Sequence, residues 1–500
     1  MERFKIFPSI GIARVGGSST EYFVCPENEN SLGIDVDSSG NENELTSFKD
    51  PMGLIKRQAA RFKIYELNTE TNEYLLGNIN VLTVEWRVHL VNKKSALKRF
   101  EIDGMPLPPD QTHVPQPPLQ LRDNGESLII DPGPRKIKGK SQHGISFDTG
   151  KYKSPINQVE QTVYLGELKT DKDGNLIVLG GKGISKSPSD QPVGPSLNPG
   201  GEKTPDANFY YNKDWYDDTS DGIVEATIEL ADGTKIDAVK AWVIVAPPDY
   251  APKVKGVVTL YDVIENVIKG DSLNEPLSFK KEIFPIISRY EQYQWVQVNQ
   301  NYSLPHPVQE YSKNSTANKT KRQEVRDTVL KIQQKLKQFR LTSRQIKILQ
   351  LFVDGKFVED LSTPSNSSQT GEEFTKLILD TTIGQGFFPG IEGGRILTNK
   401  NIYMEPFRID AGSVKPGEIT GLMALPWQAD FLECVNAWWP SQRPDLVRLK
   451  DGTTGLWHGP LNPDSDHKKL VDEFNRFGFV KPSTDKVQIE DERDPTFARV

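Results

Sequence analysis

The spacing of apolar residues changes once along this chain, near residue 265, and that change limits the fold more than any other feature. Before it, apolar positions alternate over short runs: Val81–Leu90 (VLTVEWRVHL), Gly222–Leu230 (GIVEATIEL) and Ala241–Ala246 (AWVIVA), each bounded by Gly, Pro, Asn and Asp. A period of two is that of a half-buried strand. Asp171–Asn175 and Ala231-Asp232-Gly233 read as hairpin turns, because glycine there tolerates a positive φ. Beyond residue 270 the spacing becomes three and four. Val325, Val329, Leu330, Ile332, Leu336 and Phe339 mark one helix, and Ile346, Leu349 and Leu351 a second. The Leu341-Thr342-Ser343 break between them predicts a helix cap. Val471–Phe477 predicts a further helix, ended by Gly478. The expectation is an α+β chain: a β-rich, sandwich-like N-terminal domain over 1–265 and a helix-rich C-terminal domain over 270–500 with long irregular loops. Lys182–Asp206, rich in Pro, Gly and Ser, is expected to be a long surface loop.

Composition excludes several classes of function. Five hundred residues, 36% of them hydrophobic, are enough for a sizeable core. A formal net charge of −7 gives no basic field for nucleic acid or for an anionic membrane surface. No stretch approaches the ~18 apolar residues of a membrane span. The MERFKIFPSIGIARVGG start lacks the basic region, apolar run and cleavage site of a signal peptide. A soluble protein is expected, cytoplasmic or released without a usual signal. The two cysteines, Cys25 and Cys434, lie far apart, which favours two free thiols or one thiol committed to other chemistry.

Most motif-like stretches carry a plainer reading than a functional one. Asp35–Asn41 begins like a calcium loop, but its twelfth position is Thr46 and not the bidentate glutamate, so an acidic surface loop is expected. Gly180-Gly181-Lys182-Gly183 lacks phosphate-loop spacing and reads as a turn. Asp464, Asp466 and His467 have no partners at zinc spacing, and no metal is expected. His89 reads as a satisfied strand histidine. The exception is Gly421–Asp445 (GLMALPWQADFLECVNAWWPSQRPD), with three tryptophans, a cysteine and three acids. If Trp427–Ala437 is helical, Asp430 and Cys434 share one face at i and i+4. A carboxylate there would raise the thiol pKa, which disfavours a simple thiolate nucleophile. The pairing suits a carboxylate that handles protons beside a sulfur bonded elsewhere. The plain alternative is a buried cysteine among core aromatics.

WQADFLEC followed by WWPSQRPD resembles the C-terminal signature of lysine ε-oxidase and its glycine-oxidase relatives. IGIARVG at 10–16, FKD at 48–50, IKRQAARFKIY at 55–65, WRVHLVNKKSA at 86–96, WYDDTSDG at 215–222, PPDYAP at 247–252 and PGIE at 389–392 extend the resemblance over nearly the whole chain. It implies oxidative deamination of an amino acid, with release of ammonia and hydrogen peroxide. It also implies a cysteine tryptophylquinone cofactor, installed with the help of a maturing flavoprotein. By position, Cys434 corresponds to the cross-linked cysteine and Asp430 to the aspartate needed for cofactor formation. The family's quinone tryptophan is expected in a tryptophan-x-x-leucine-glycine-phenylalanine-valine context near the C-terminus. Here that context reads Phe474-Asn475-Arg476-Phe477-Gly478-Phe479-Val480, with Phe474 in the tryptophan's place and no tryptophan after Trp457. Three functions follow: an oxidase that pairs Cys434 with Trp457 or Trp438, a diverged member that binds or modifies an amino acid or peptide without the quinone, or a structural or interaction protein that keeps only the scaffold. A homo-oligomer is compatible with each.

Overall fold

The computed structural model describes residues 3–28, 31–37, 39–76, 81–96, 125–189, 214–297, 301–335, 340–363, 369–384, 393, 395–422, 426–428, 443–444, 446–448, 453–459, 461, 467–482 and 488–497. Val81–Val91 and Ser220–Leu230 form strands where period two predicts them, and the Ala241–Ala246 run also forms a strand but is buried at every position. Both predicted turns close hairpins. Asp171 Oδ1 accepts the Asp173 and Asn175 amides, and the Leu230 amide donates to Thr234 O across Gly233 (φ +84°).

These strands join one continuous 15-stranded sheet. Its main path runs through Ile145–Ser146, Glu167–Thr170, Leu176–Leu179, Arg57–Asn68, Ile10–Arg14, Ala241–Ala246, Ser220–Leu230, Val81–Val91 and Arg135–Lys138. Pairing along it is antiparallel, except that Ile10–Arg14 runs parallel to Ala241–Ala246. The sheet curls until its ends meet. Arg135 Nε donates to Ser146 O at 2.9 Å, and Trp86 Nε1 donates to Gly174 O at 2.9 Å. The two walls expected of a sandwich are thus supplied by one sheet folded over itself, as strong strand twist allows. Its interior carries Phe62, Trp86, Val88, Val178, Val224 and Val243, all buried.

The second half supplies short helices with built-in caps. Thr342 accepts the Gln345 amide while Gln345 reaches back to the Thr342 amide, which starts Ser343–Val353 where predicted. Thr259 and Thr370 begin Leu260–Lys269 and Gly371–Leu379 in the same way. Val325, Val329, Ile332, Leu349 and Leu351 are buried, but Ile346 is exposed. One apolar cluster extends from Phe4 to Phe497 and draws on both halves of the chain. Among the described residues, no helix is long and apolar enough to cross a membrane.

Two local expectations are corrected. The helix predicted at Val471–Phe477 runs from His467 to Glu473, and Phe474–Arg476 tighten into a 3-10 turn. Tertiary bonds impose the change: Tyr250 Oη donates to Phe474 O at 2.8 Å, and Asn475 Oδ1 accepts the Ile55 amide at 2.9 Å. Phe477 is then extended and leads into the Phe479–Pro482 strand. Gly478 is not a helix cap. A Cβ there would lie 2.7 Å from Glu490 Cγ, so the glycine permits close pairing with the Gln488–Asp491 strand. The start of the expected surface loop is also built in: Ser185–Lys186 pairs with Tyr216–Asp217, and Gly183, Ser185 and Ser187 are buried. Residues 190–206 of that segment lie outside the described residues.

Candidate functional site

The WYDDTSDG stretch places three acids within five residues at the head of the Ser220–Leu230 strand, and all three are buried. Two of them are fully engaged. Asp221 accepts the Thr420 amide (2.7 Å) and hydroxyl (2.6 Å), the Gly417 amide (3.1 Å) and the Trp242 indole N–H (3.0 Å). Burial still pushes its carboxyl up to about 6. Asp217 forms a buried ion pair with Lys94 and accepts from Asn92 Nδ2 (3.0 Å), Thr219 Oγ1 (2.8 Å) and the Trp427 amide (3.1 Å). These two carboxylates tie Gly417, Thr420 and Trp427, which precede Asp430 and Cys434 in sequence, to the sheet. Buried charges require such partners.

Asp218, between them, is satisfied on one side only. Its Oδ2 accepts the Lys182 amide at 2.6 Å, and the Ile184 amide also bonds the carboxylate. Its buried Oδ1 has no hydrogen-bond partner among the described residues. Burial pushes this carboxyl up to about 7, and the neighbouring Asp217 charge adds to the effect. The buried hydroxyls of Ser187, Ser189 and Ser220, from the same two strands and their connections, are also unpartnered among the described residues. Such atoms are rare in folded proteins.

The glycines read as a turn let the backbone approach this carboxylate. A Cβ on Gly181 would lie 2.4 Å from Asp218 Cγ. Gly183 has φ +77°, and a Cβ there would meet Phe474 Cζ at 2.3 Å. Phe474 therefore lies directly over Gly183, and its ring meets Trp427 edge-on at 5.4 Å between centroids. Gln428 closes the arrangement: its Oε1 accepts from Ser185 Oγ at 2.6 Å, and its Nε2 donates to Gly183 O at 3.2 Å.

Of the residues selected from sequence, Phe474 stands in this cluster and Trp457 beside it. Trp457 is buried. Its indole N–H donates to Gly478 O at 3.0 Å, and its ring packs on Tyr250 (4.8 Å) and Phe477 (4.4 Å). Asp430, Cys434 and Trp438 lie outside the described residues, as do Asp464 and Asp466. Cys25 is a buried free thiol, pushed up to about 12 by burial. Asp37 turns on its own loop, accepting the Ser39 and Asn41 amides, while Asp35 pairs with Lys56. His89 bonds Asp131 at 2.7 Å, as a satisfied strand histidine would. Among the described residues, no group of three His, Cys, Asp or Glu could hold a metal.

Asp217, Asp218, Asp221, Gln428 and His458 were not singled out from sequence. The density of acids in WYDDTSDG was the available signal for the first three. His458 is buried, neither ring nitrogen has a partner among the described residues, and burial with the nearby Arg443 charge pushes it down to about 4.

The cysteine tryptophylquinone that the resemblance implies is built by adding two oxygens to an indole. The tail ring packed on Trp427 belongs to Phe474, which has no indole. Trp457 has one, but its N–H is engaged and its faces are covered by Tyr250 and Phe477. Phe474 does not fit the group.

Comparison with known proteins gives one consistent answer. The L-lysine epsilon oxidase N-terminal family matches residues 7–245, and the L-lysine epsilon oxidase C-terminal domain family matches residues 314–457. L-lysine 6-oxidase of Marinomonas mediterranea is 28% identical, over 86% of this chain and 70% of that one. The crystal structure of the Schiff base intermediate of L-Lys epsilon-oxidase from the same organism, with L-Lys, superposes with a TM-score of 0.75 at 21% identity. It covers 98% of this chain and 95% of its own. A second crystal structure of the L-Lys epsilon-oxidase from that organism gives a TM-score of 0.74 at 21% identity, covering 98% and 94%. This chain therefore belongs to the L-lysine epsilon oxidase family of amino-acid oxidases.

Proposed function

We propose that this chain recognises an amino acid at the site beneath Phe474 and does so without the cysteine tryptophylquinone of its family. The observation that carries the reading is the ring at 474. The tail delivers a phenylalanine to Trp427, above Gly183 and next to the half-satisfied Asp218 carboxylate. A benzene ring has neither the indole that the quinone is made from nor a hydroxyl to begin its oxygenation. Recognition of an amino acid is supported by the relative, whose crystal structure holds L-lysine as a Schiff base.

A second reading is favoured by one observation: Tyr250 touches the Trp457 ring and also donates to Phe474 O, so a further indole, besides that of Trp427, lies one residue from the site. In that reading Cys434 joins Trp457, or Trp438, and the chain retains oxidative deamination of an amino acid. Titration calorimetry across the twenty amino acids, with a peroxide assay and a visible spectrum of the same protein, separates the two. The proposed function predicts binding of at least one amino acid, no peroxide and no visible band. Peroxide release would replace it with the oxidase reading.

A further inference from the structure

Asp218 is set apart by what surrounds it. Among the described residues, each neighbouring cation is engaged elsewhere: Lys94 pairs with Asp217, Arg57 bonds Tyr164 (2.9 Å) and Glu167 (3.0 Å), and Lys182 Nζ lies over the Tyr164 ring at 5.1 Å. The Lys182 amide holds the carboxylate through Oδ2 and the Ile184 amide also bonds the group, while Oδ1 is buried and has no hydrogen-bond partner among the described residues. A carboxylate fixed on one side and bare on the other, with the nearby cations committed, is organised for a cation that arrives with a ligand. Asp218 packs on Gly181, two residues before the Gly183 that carries Phe474 and Gln428, where the amino acid is proposed to bind.

We propose that Asp218 is the anchor for the primary ammonium group of the bound amino acid, accepting a charge-assisted hydrogen bond through Oδ1. This rests on the proposed function above and names the group that reads the amine. Below neutrality the protonated carboxyl of Asp218 meets the ligand's ammonium, and the product is a carboxylate–ammonium pair with one proton passed to solvent. Above neutrality the same pair forms with no proton released. Other titratable groups facing Asp218 are Asp217 and Tyr216 on its own segment and Tyr164 opposite. Burial pushes both tyrosines up to about 12, so neither titrates in the range tested.

The test is titration calorimetry with each of the twenty amino acids, L-lysine first, at pH 6 and pH 8 in pairs of buffers of different ionisation enthalpy. For an amino acid that binds, release should approach one proton at pH 6 and fall close to zero at pH 8. Affinity should rise about tenfold between those values as the carboxyl ionises. Asp218→Asn keeps an oxygen for the Lys182 amide and should weaken binding at pH 8 by roughly 10- to 100-fold, the worth of a hydrogen bond to a charged group. It should also abolish the proton release. Wild-type binding with no proton release at pH 6 overturns the proposal, even if the variant does not fold. Unchanged affinity and proton release in a folded variant overturn it as well. If no amino acid binds the wild type, the proposed function falls and the anchor with it.

Discussion

Removing the amine of Lys94 probes the clamp that joins the sheet to Trp427, which precedes Asp430 and Cys434 in sequence. Lys94 and Asp217 are both fully buried, so Lys94→Met strands a carboxylate with no access to water. Breaking a buried pair on one side costs about 3–5 kcal/mol, because the remaining charge stays desolvated. Asp217 retains the Asn92, Thr219 and Trp427 donors, which places the expected loss near ~3 kcal/mol, the lower end of that range. Unfolding entropy of ~2.1 cal/mol/K per residue amounts to about 1 kcal/mol/K for a chain of this length. A single cooperative melt would therefore shift by only about 3 °C, so urea denaturation followed by tryptophan fluorescence is the better assay. Neutralising the stranded group in Lys94→Met/Asp217→Asn should recover at least about 1 kcal/mol relative to additivity. A change of less than about 0.5 kcal/mol in Lys94→Met, or additivity of the two substitutions, would refute the clamp.

Gly183→Ala should destabilise by roughly 2–4 kcal/mol, from its left-handed backbone and from the clash with Phe474. Adding Phe474→Leu should restore the packing part and leave the backbone part, measured by the same denaturation. Two groups should shape stability against pH in opposite directions. His458 is held neutral at about 4 against an ordinary value near 6.5, so its contribution is complete above 6.5 and is lost as pH falls toward 4. Asp218 is held protonated to about 7 from an ordinary 3.8, so stability falls as pH rises from about 4 to 7 and then levels. Each is worth roughly 3–4 kcal/mol at about 1.36 kcal/mol per unit. A pH series of unfolding midpoints should show Asp218→Asn removing the alkaline loss and His458→Leu removing the acid loss; a variant whose curve parallels the wild type contradicts its assignment.

The parts of this molecule legible in its sequence are those set by local chemistry. Alternation placed Val81–Val91 and Ser220–Leu230, and Thr342 with Gln345 announced a helix start, because strand period and capping act over a few residues. The helix at 471–477 was misplaced because its boundary is set from elsewhere, by Tyr250 and Ile55 acting on Phe474 and Asn475. Gly180–Gly183 looked like a turn because nothing nearby in sequence reveals that Asp218 and Phe474 press against those glycines. The same holds for the three acids of WYDDTSDG. Their spacing is visible, but the division into two clamps and one half-satisfied carboxylate depends on Lys94, Thr420 and Trp427 arriving from distant segments. Phe474 is the opposite case, since one residue identity, read in its motif, bears on the cofactor before any geometry.

The measurement closest to the central claim is an intact mass and peptide map of natively produced protein, co-expressed with a maturing flavoprotein of this family and centred on Cys434. The expected result is a free, alkylatable Cys434, an unmodified Phe474 and all eight tryptophans at their unmodified mass. A peptide joining Cys434 to Trp457, Trp438 or any other tryptophan, with two added oxygens, would contradict the claim and make amino-acid oxidation the function of the chain.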